Sequence, residues 1–240
     1  MFFSFWHFAY LLLVLAVAAF LSLGLKGKSV MAKEKRLNQI AGLLLLAYLA
    51  DFLATPLLTG QVGFDKLPFQ VCTLSAVLIC LSRCVPALVR FREPVMLMGL
   101  ASAILYLVFP DATVRGYVSL NYSAVQSMTL HGLMAIYGVV AISTGGVKVS
   151  LKKLYQVPAL ASVAMGWSAV GYKLFSAGSH YSLTRSGYLP EDGWMLPLGA
   201  IVALTTVAAA ACAVGAAFTR RKREKKEEMA TIYIADRRAV

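Results

Sequence analysis

Seven long apolar stretches alternate along the chain with short connections that carry most of the charge. The stretches run Phe2–Leu23, Ile40–Thr59, Leu67–Leu81, Pro94–Phe109, Ala124–Ile142, Leu154–Phe175 and Trp194–Phe218. A soluble domain of this length would show amphipathic periods with a polar face on each element. These runs instead stay apolar all round for about the 17–25 residues a bilayer requires. The pattern predicts an all-α fold, a polytopic seven-helix transmembrane bundle. The third and fourth runs are short, which predicts thin or partly irregular packing there.

The connections sort the basic residues to one side. Lys26, Lys28, Lys33, Lys35, Arg36, Arg83, Arg90, Arg92, Lys148, Lys152 and Lys153 fall there with the eight Lys and Arg residues from Arg220 onward, nineteen of twenty-three. The other side receives Lys66, Arg115, Arg185 and Lys173. The positive-inside rule then sets the N-terminus outside and the C-terminus in the cytoplasm. Residues 1–219 read as one integral membrane domain of the plasma (cytoplasmic) membrane, and residues 220–240 as a basic cytoplasmic tail. The first run is too long for a signal-peptide core and its basic cluster follows it, so it reads as a span.

Composition changes this picture little. The chain has 240 residues, 59% hydrophobic and 14% charged, with a net charge of +12. The excess charge lies in topological clusters, so no nucleic-acid partner is expected. The partners expected are membrane lipids, with anionic headgroups along the tail. Cys72, Cys80, Cys84 and Cys212 all lie in or beside apolar runs, so no structural disulfide is expected.

Ionisable residues inside spans are expensive and mark functional candidates. His7, Asp51 and His131 qualify, and a thiol, Cys72, joins them. Rise per residue puts Cys72 and His7 roughly 8 Å, His131 roughly 10 Å and Asp51 roughly 12 Å below the outer surface. Four groups on four helices thus share one outer layer, while Cys80 and Cys84 lie near the inner surface. Such a layer suits nucleophilic catalysis. His131 would take the thiol proton from Cys72 and return it to a leaving group. Asp51 or His7 would orient the imidazole. Gln70 and a helix start at Pro68 would offer N–H donors to an oxyanion. Two other readings use the same residues. Cys72 is equally a small packing side chain and His131 and Asp51 interhelical hydrogen-bond partners. His7, Asp51, Cys72 and His131 would also make a tetrahedral zinc set, although no local spacing points to a metal. The preferred reading calls for no cofactor and no metal.

The segment Leu67-Pro68-Phe69-Gln70-Val71-Cys72 resembles the LPLHLC signature of the YwaF-type integral membrane proteins, found also in the transmembrane protein 164 acyltransferases. His7, Asp51, Phe109-Pro110-Asp111 and His131-Gly132 are similar, in order, to family positions, and His180-Tyr181 falls where an Asn-Tyr is common. Gln70 replaces the signature histidine and His180 the asparagine. The resemblance implies Cys72 as nucleophile and His131 as base of an acyl-thioester mechanism, with His180 and Tyr181 on an outer-loop rim of the site. Together these readings favour a lipid acyltransferase or lipid hydrolase working near the outer leaflet. The alternative is a non-enzymatic membrane protein, a small-solute transporter subunit or a binding or assembly factor, with the polar layer as its binding site.

Overall fold

The computed structural model describes residues 5–59, 67–108, 122–175, 202–215, 217–218 and 220–221. His180, Tyr181, the Pro110-Asp111 pair and the tail beyond residue 221 lie outside these residues. Among the described residues the chain is all-helical, with no strand. Seven α-helices stand where the seven apolar runs do: α1 (Phe5–Gly24), α2 (Val30–Thr59), α3 (Val71–Cys84), α4 (Arg92–Val108), α5 (Tyr122–Thr144), α6 (Gln156–Phe175) and α7 (Val202–Gly215).

Four described segments are long and apolar enough to cross a membrane by length and composition: Phe5–Gly24, Val30–Leu57, Pro86–Val108 and Ala124–Thr144. Val71–Cys84 and Val202–Gly215 are shorter apolar helices. Several boundaries differ from those read off hydropathy. Helix α2 begins at Val30, ten residues before its apolar run, because this polar stretch still seats Leu37 in the core and pairs Glu34 with Arg83. Lys33, Lys35 and Arg36 therefore ride on its first turns. Helix α3 begins at Val71, not at Leu67. Pro68 lies in the turn before it, and Phe69 N–H closes that turn onto the Leu67 carbonyl at 2.7 Å. The irregularity expected around the third and fourth runs is a single 3-10 segment, Pro86–Phe91, which joins α3 to α4 with Pro86 at its start.

Helix α5 is the hub. It packs on α1, α2 and α4, and α3 fits between α2, α4 and α6. Close approach comes from glycines. A Cβ on Gly138 of α5 would meet Leu100 of α4 at 2.9 Å, and a Cβ on Gly132 would meet the Tyr10 hydroxyl of α1 at 2.5 Å. Helix α1 is the outlier, touching the bundle along one stripe through His7, Val14 and Ala18 while Phe5, Phe8, Leu12, Leu15 and Phe20 stay exposed. An all-apolar exterior of this kind is what lipid contact requires.

One end of the bundle is locked by charge. Arg83, at the end of α3, pairs with Glu34 of α2 at 3.0 Å, and its side chain is only 2% exposed. Arg92 reaches the same carboxylate at 3.9 Å and donates Nε–H to the Ser82 carbonyl at 2.9 Å. Beside them the buried Glu93 carboxylate accepts the Ser150 N–H and faces Lys153 at 3.9 Å. In the sequence Arg83 and Arg92 look like connection charges. With Glu34 they tie α2, α3 and α4 together instead.

Candidate functional site

The LPFQVC segment is held from one side by α6. Trp167 Nε1–H donates to the Pro68 carbonyl at 3.0 Å, and its indole lies 5.1 Å from the Phe69 ring. Phe69 is buried, and its ring occupies the space a side chain on Gly171 would need. Trp167 and Gly171 are four residues apart, so one face of α6 forms the cradle. Neither residue stands out in the sequence, because a tryptophan and a glycine in an apolar run look like ordinary span residues. Their i, i+4 spacing is the available signal.

Gln70 is the N-cap of α3, with φ −85° and ψ 148° and no side-chain cap. Its carbonyl accepts from Leu74 N–H at 2.9 Å and from the Thr73 hydroxyl at 3.0 Å. Cys72 is therefore the second residue of the helix, among the N–H groups that have no carbonyl partner within it. The thiol donates to Gln70 Oε1 at 3.6 Å. Gln70 was expected to donate to an oxyanion. Here it accepts, and rotation of its amide by half a turn would present the N–H₂ instead.

His131 is buried in α5. Its Nδ1 lies 2.7 Å from the Ser127 carbonyl, one turn back. A carbonyl only accepts, so Nδ1 carries the proton and Nε2 is the basic nitrogen. The phenol ring of Tyr106, on α4, stacks on the imidazole at 3.7 Å with a 9° tilt. The Ser127 hydroxyl donates to the Tyr106 hydroxyl at 2.7 Å. The group that orients His131 is thus its own helix backbone.

Asp51 and His7 are both buried. Asp51 accepts from the Tyr122 hydroxyl at 3.1 Å, which ties α2 to the first residue of α5. Tyr122 is nine residues before His131, about half a turn round the helix and roughly 13 Å along it. Asp51 therefore braces the histidine helix at its end. His7 faces the Leu107 backbone carbonyl, next to the stacked tyrosine.

Among the described residues no hydrogen bond joins Cys72 to His131, but helix faces bring them to one layer. Ser75 and Ile79 of α3 meet Gly99 of α4. Cys72 lies one turn from Ser75 on the same face, and Tyr106 two turns from Gly99 on the same face of α4. From the Gly99 level, Cys72 is displaced by roughly 4 Å and Tyr106 by roughly 10 Å in the same direction. These offsets put the Cys72 and Tyr106 levels about one helical turn apart along the bundle. Cys80 has a different setting, with its thiol buried and donating to the Ala41 carbonyl at 3.0 Å. The four cysteines are free. Among the described residues no group of three or more His, Cys, Asp or Glu side chains is gathered as a metal would need.

A model of the TMEM164 family matches residues 2–177, α1 to α6 with the whole Cys72 and His131 neighbourhood. The chain belongs to the TMEM164 family. No curated protein and no solved structure matches it. This TMEM164-family chain is a multi-pass membrane protein whose apolar helices contact lipid.

The α6 cradle makes a stability prediction. Gly171→Ala pushes Phe69 out of its slot and should cost about 1–3 kcal/mol, as overpacking does. Trp167→Phe loses one hydrogen bond and should cost on the order of 1 kcal/mol. Thermal unfolding in detergent reads both, and Cys72 in Gly171→Ala should become more open to alkylation. A Gly171→Ala protein with wild-type unfolding and wild-type Cys72 reactivity would show that α6 does not hold the turn.

Proposed function

We propose that this protein is a lipid acyltransferase or lipid hydrolase that carries the acyl group on Cys72, with His131 as its base. Residues 1–219 form the membrane domain, cross the bilayer seven times with the N-terminus outside, and lie in the plasma membrane. The tail, 220–240, rests on anionic headgroups of the cytoplasmic leaflet. In this orientation the charge-locked end is cytoplasmic and the Cys72 layer lies in the outer half. Reporters test the orientation: one fused after Val240 should be cytoplasmic and one before Met1 external. Both termini on the same side would remove a span and undo it.

The observation that carries the chemical reading is the position of the thiol. Cys72 sits in the first turn of α3, where the backbone N–H groups have no carbonyl partner within the helix. Partial positive charge at a helix N-terminus favours a thiolate. The same N–H groups are donors of the kind that hold an oxyanion. Cys80, more than two turns further along α3 and donating to the Ala41 carbonyl, lacks the N-terminal position.

The reaction follows from these positions. Sγ of Cys72 attacks the carbonyl carbon of a lipid ester while His131 Nε2 takes the thiol proton. The tetrahedral oxyanion collapses, the ester C–O bond breaks, and the imidazolium returns the proton to the departing alkoxide. The acyl group is left as a thioester. A lysolipid hydroxyl, or water in hydrolysis, then attacks with His131 again as base. The C–S bond breaks and the sulfur recovers the proton.

Loss of the base removes a factor of about 10²–10⁴ from such a reaction. His131→Ala and Cys72→Ser should each lower transfer of a labelled acyl chain between lipids, in vesicles holding the purified protein, by at least that order. Their double mutant should be little worse than either alone, because the pair acts as a unit. Cys80→Ser keeps its bond to Ala41 and should be silent. If Cys72→Ser matches Cys80→Ser in a folded, inserted protein, the enzyme reading is wrong and the polar layer is a binding site.

A further inference from the structure

Tyr106 is a residue that neither the motif nor the thiol chemistry requires, yet its contacts are specific. Its ring lies parallel to His131 at 3.7 Å, and its hydroxyl is held by the Ser127 hydroxyl at 2.7 Å. Ser127 also supplies the carbonyl that holds His131 Nδ1. One residue therefore fixes both rings, the imidazole through its backbone and the phenol through its side chain. A tyrosine buried only to fill space would need no such registration.

We infer that Tyr106 is a positioning residue for the reaction of Cys72, a π-faced platform that holds His131 in plane and stabilises it in its protonated state. The inference rests on the Cys72–His131 reading above. The face of an aromatic ring is electronegative and attracts a cation lying over it. His131 becomes that cation when it accepts the thiol proton, in surroundings where water does not solvate it. The stack also fixes the plane in which Nε2 points. The role belongs to the ring. The phenol hydroxyl serves only to keep the ring parallel, through Ser127.

The test is the rate of alkylation of Cys72 by iodoacetamide at neutral pH in the full-length protein in vesicles, read by mass spectrometry of the Cys72 peptide. The thiolate is the form that reacts. Tyr106→Phe keeps the ring and should stay close to the wild-type rate. Tyr106→Leu should slow alkylation by about 3- to 30-fold. Ser127→Ala keeps the carbonyl and breaks the same hydroxyl bond as Tyr106→Phe, and should likewise stay close to the wild-type rate.

The direction of change separates the role from simple packing. A variant that merely loosens the bundle exposes the thiol and speeds its alkylation. If Tyr106→Leu is as fast as wild type or faster while His131→Ala is slow, the inference about Tyr106 fails and the dyad stands. If Tyr106→Phe is as slow as Tyr106→Leu, the hydroxyl and not the ring matters, and the inference also fails. If His131→Ala leaves the rate unchanged, the dyad reading itself falls. Should Tyr106→Leu fail to fold, Tyr106→Met, with a longer and more adaptable side chain, carries the same comparison.

Discussion

Inside a hydrocarbon layer a polar side chain has to find its partner within the protein, and the carbonyl of Ser127 answers that need for His131. In a regular helix this carbonyl already receives the backbone N–H of residue 131, and its second lone pair takes the imidazole. The histidine is thereby bound to its own helix one turn back. No interhelical carboxylate is needed to set its tautomer, and Nε2 is left as the basic nitrogen. Tyr106 can stack on the ring because the ring is held still.

The rest of the bundle serves that layer by holding its ends differently. At one end Glu34, Arg83, Arg92 and Glu93 cross-link α2, α3, α4 and the segment before α6. Of these charges the Arg83 side chain is the one nearly shut off from water, and parting it from Glu34 would leave a buried uncompensated charge. At the other end the links are neutral or singly charged: Cys72 to Gln70, Ser127 to Tyr106, Tyr122 to Asp51 and Trp167 to Pro68. These neutral links are individually weaker. A protein that rocks open alternately at both ends would be ill served by such a charge lock. A protein that admits a lipid at one end is compatible with it.

Much of the fold was legible because an uncharged apolar run of span length has to bury its backbone polar groups in a helix when it meets lipid. Among the described residues each of the seven runs holds a helix. Their ends were less legible: the extension of α2 back to Val30 is polar, and Pro68 marks a turn and not the first helical residue. Of the candidate site, Cys72, Gln70, His131, Asp51 and His7 were visible because thiols and ionisable groups stand out in apolar sequence. Their partners were not. Ser127 acts on His131 through a carbonyl that every residue possesses, and Tyr106, Trp167 and Gly171 are unremarkable among span residues. The pairing of Arg83 and Arg92 with Glu34 was not visible either, because a charge at the end of an apolar run carries no sign of its partner. The orienting role expected of Asp51 or His7 falls to the Ser127 backbone carbonyl, a group no side-chain inventory contains.

The central claim is that the Cys72 thiol carries an acyl group. Intact-protein and peptide mass spectrometry, on protein purified gently from its own membrane, tests this most directly. The account predicts a fatty-acyl mass on the Cys72 peptide that hydroxylamine removes, that is absent in His131→Ala, and that does not occur on Cys80. A Cys72 that is always free, or an adduct that persists undiminished without His131, would contradict it.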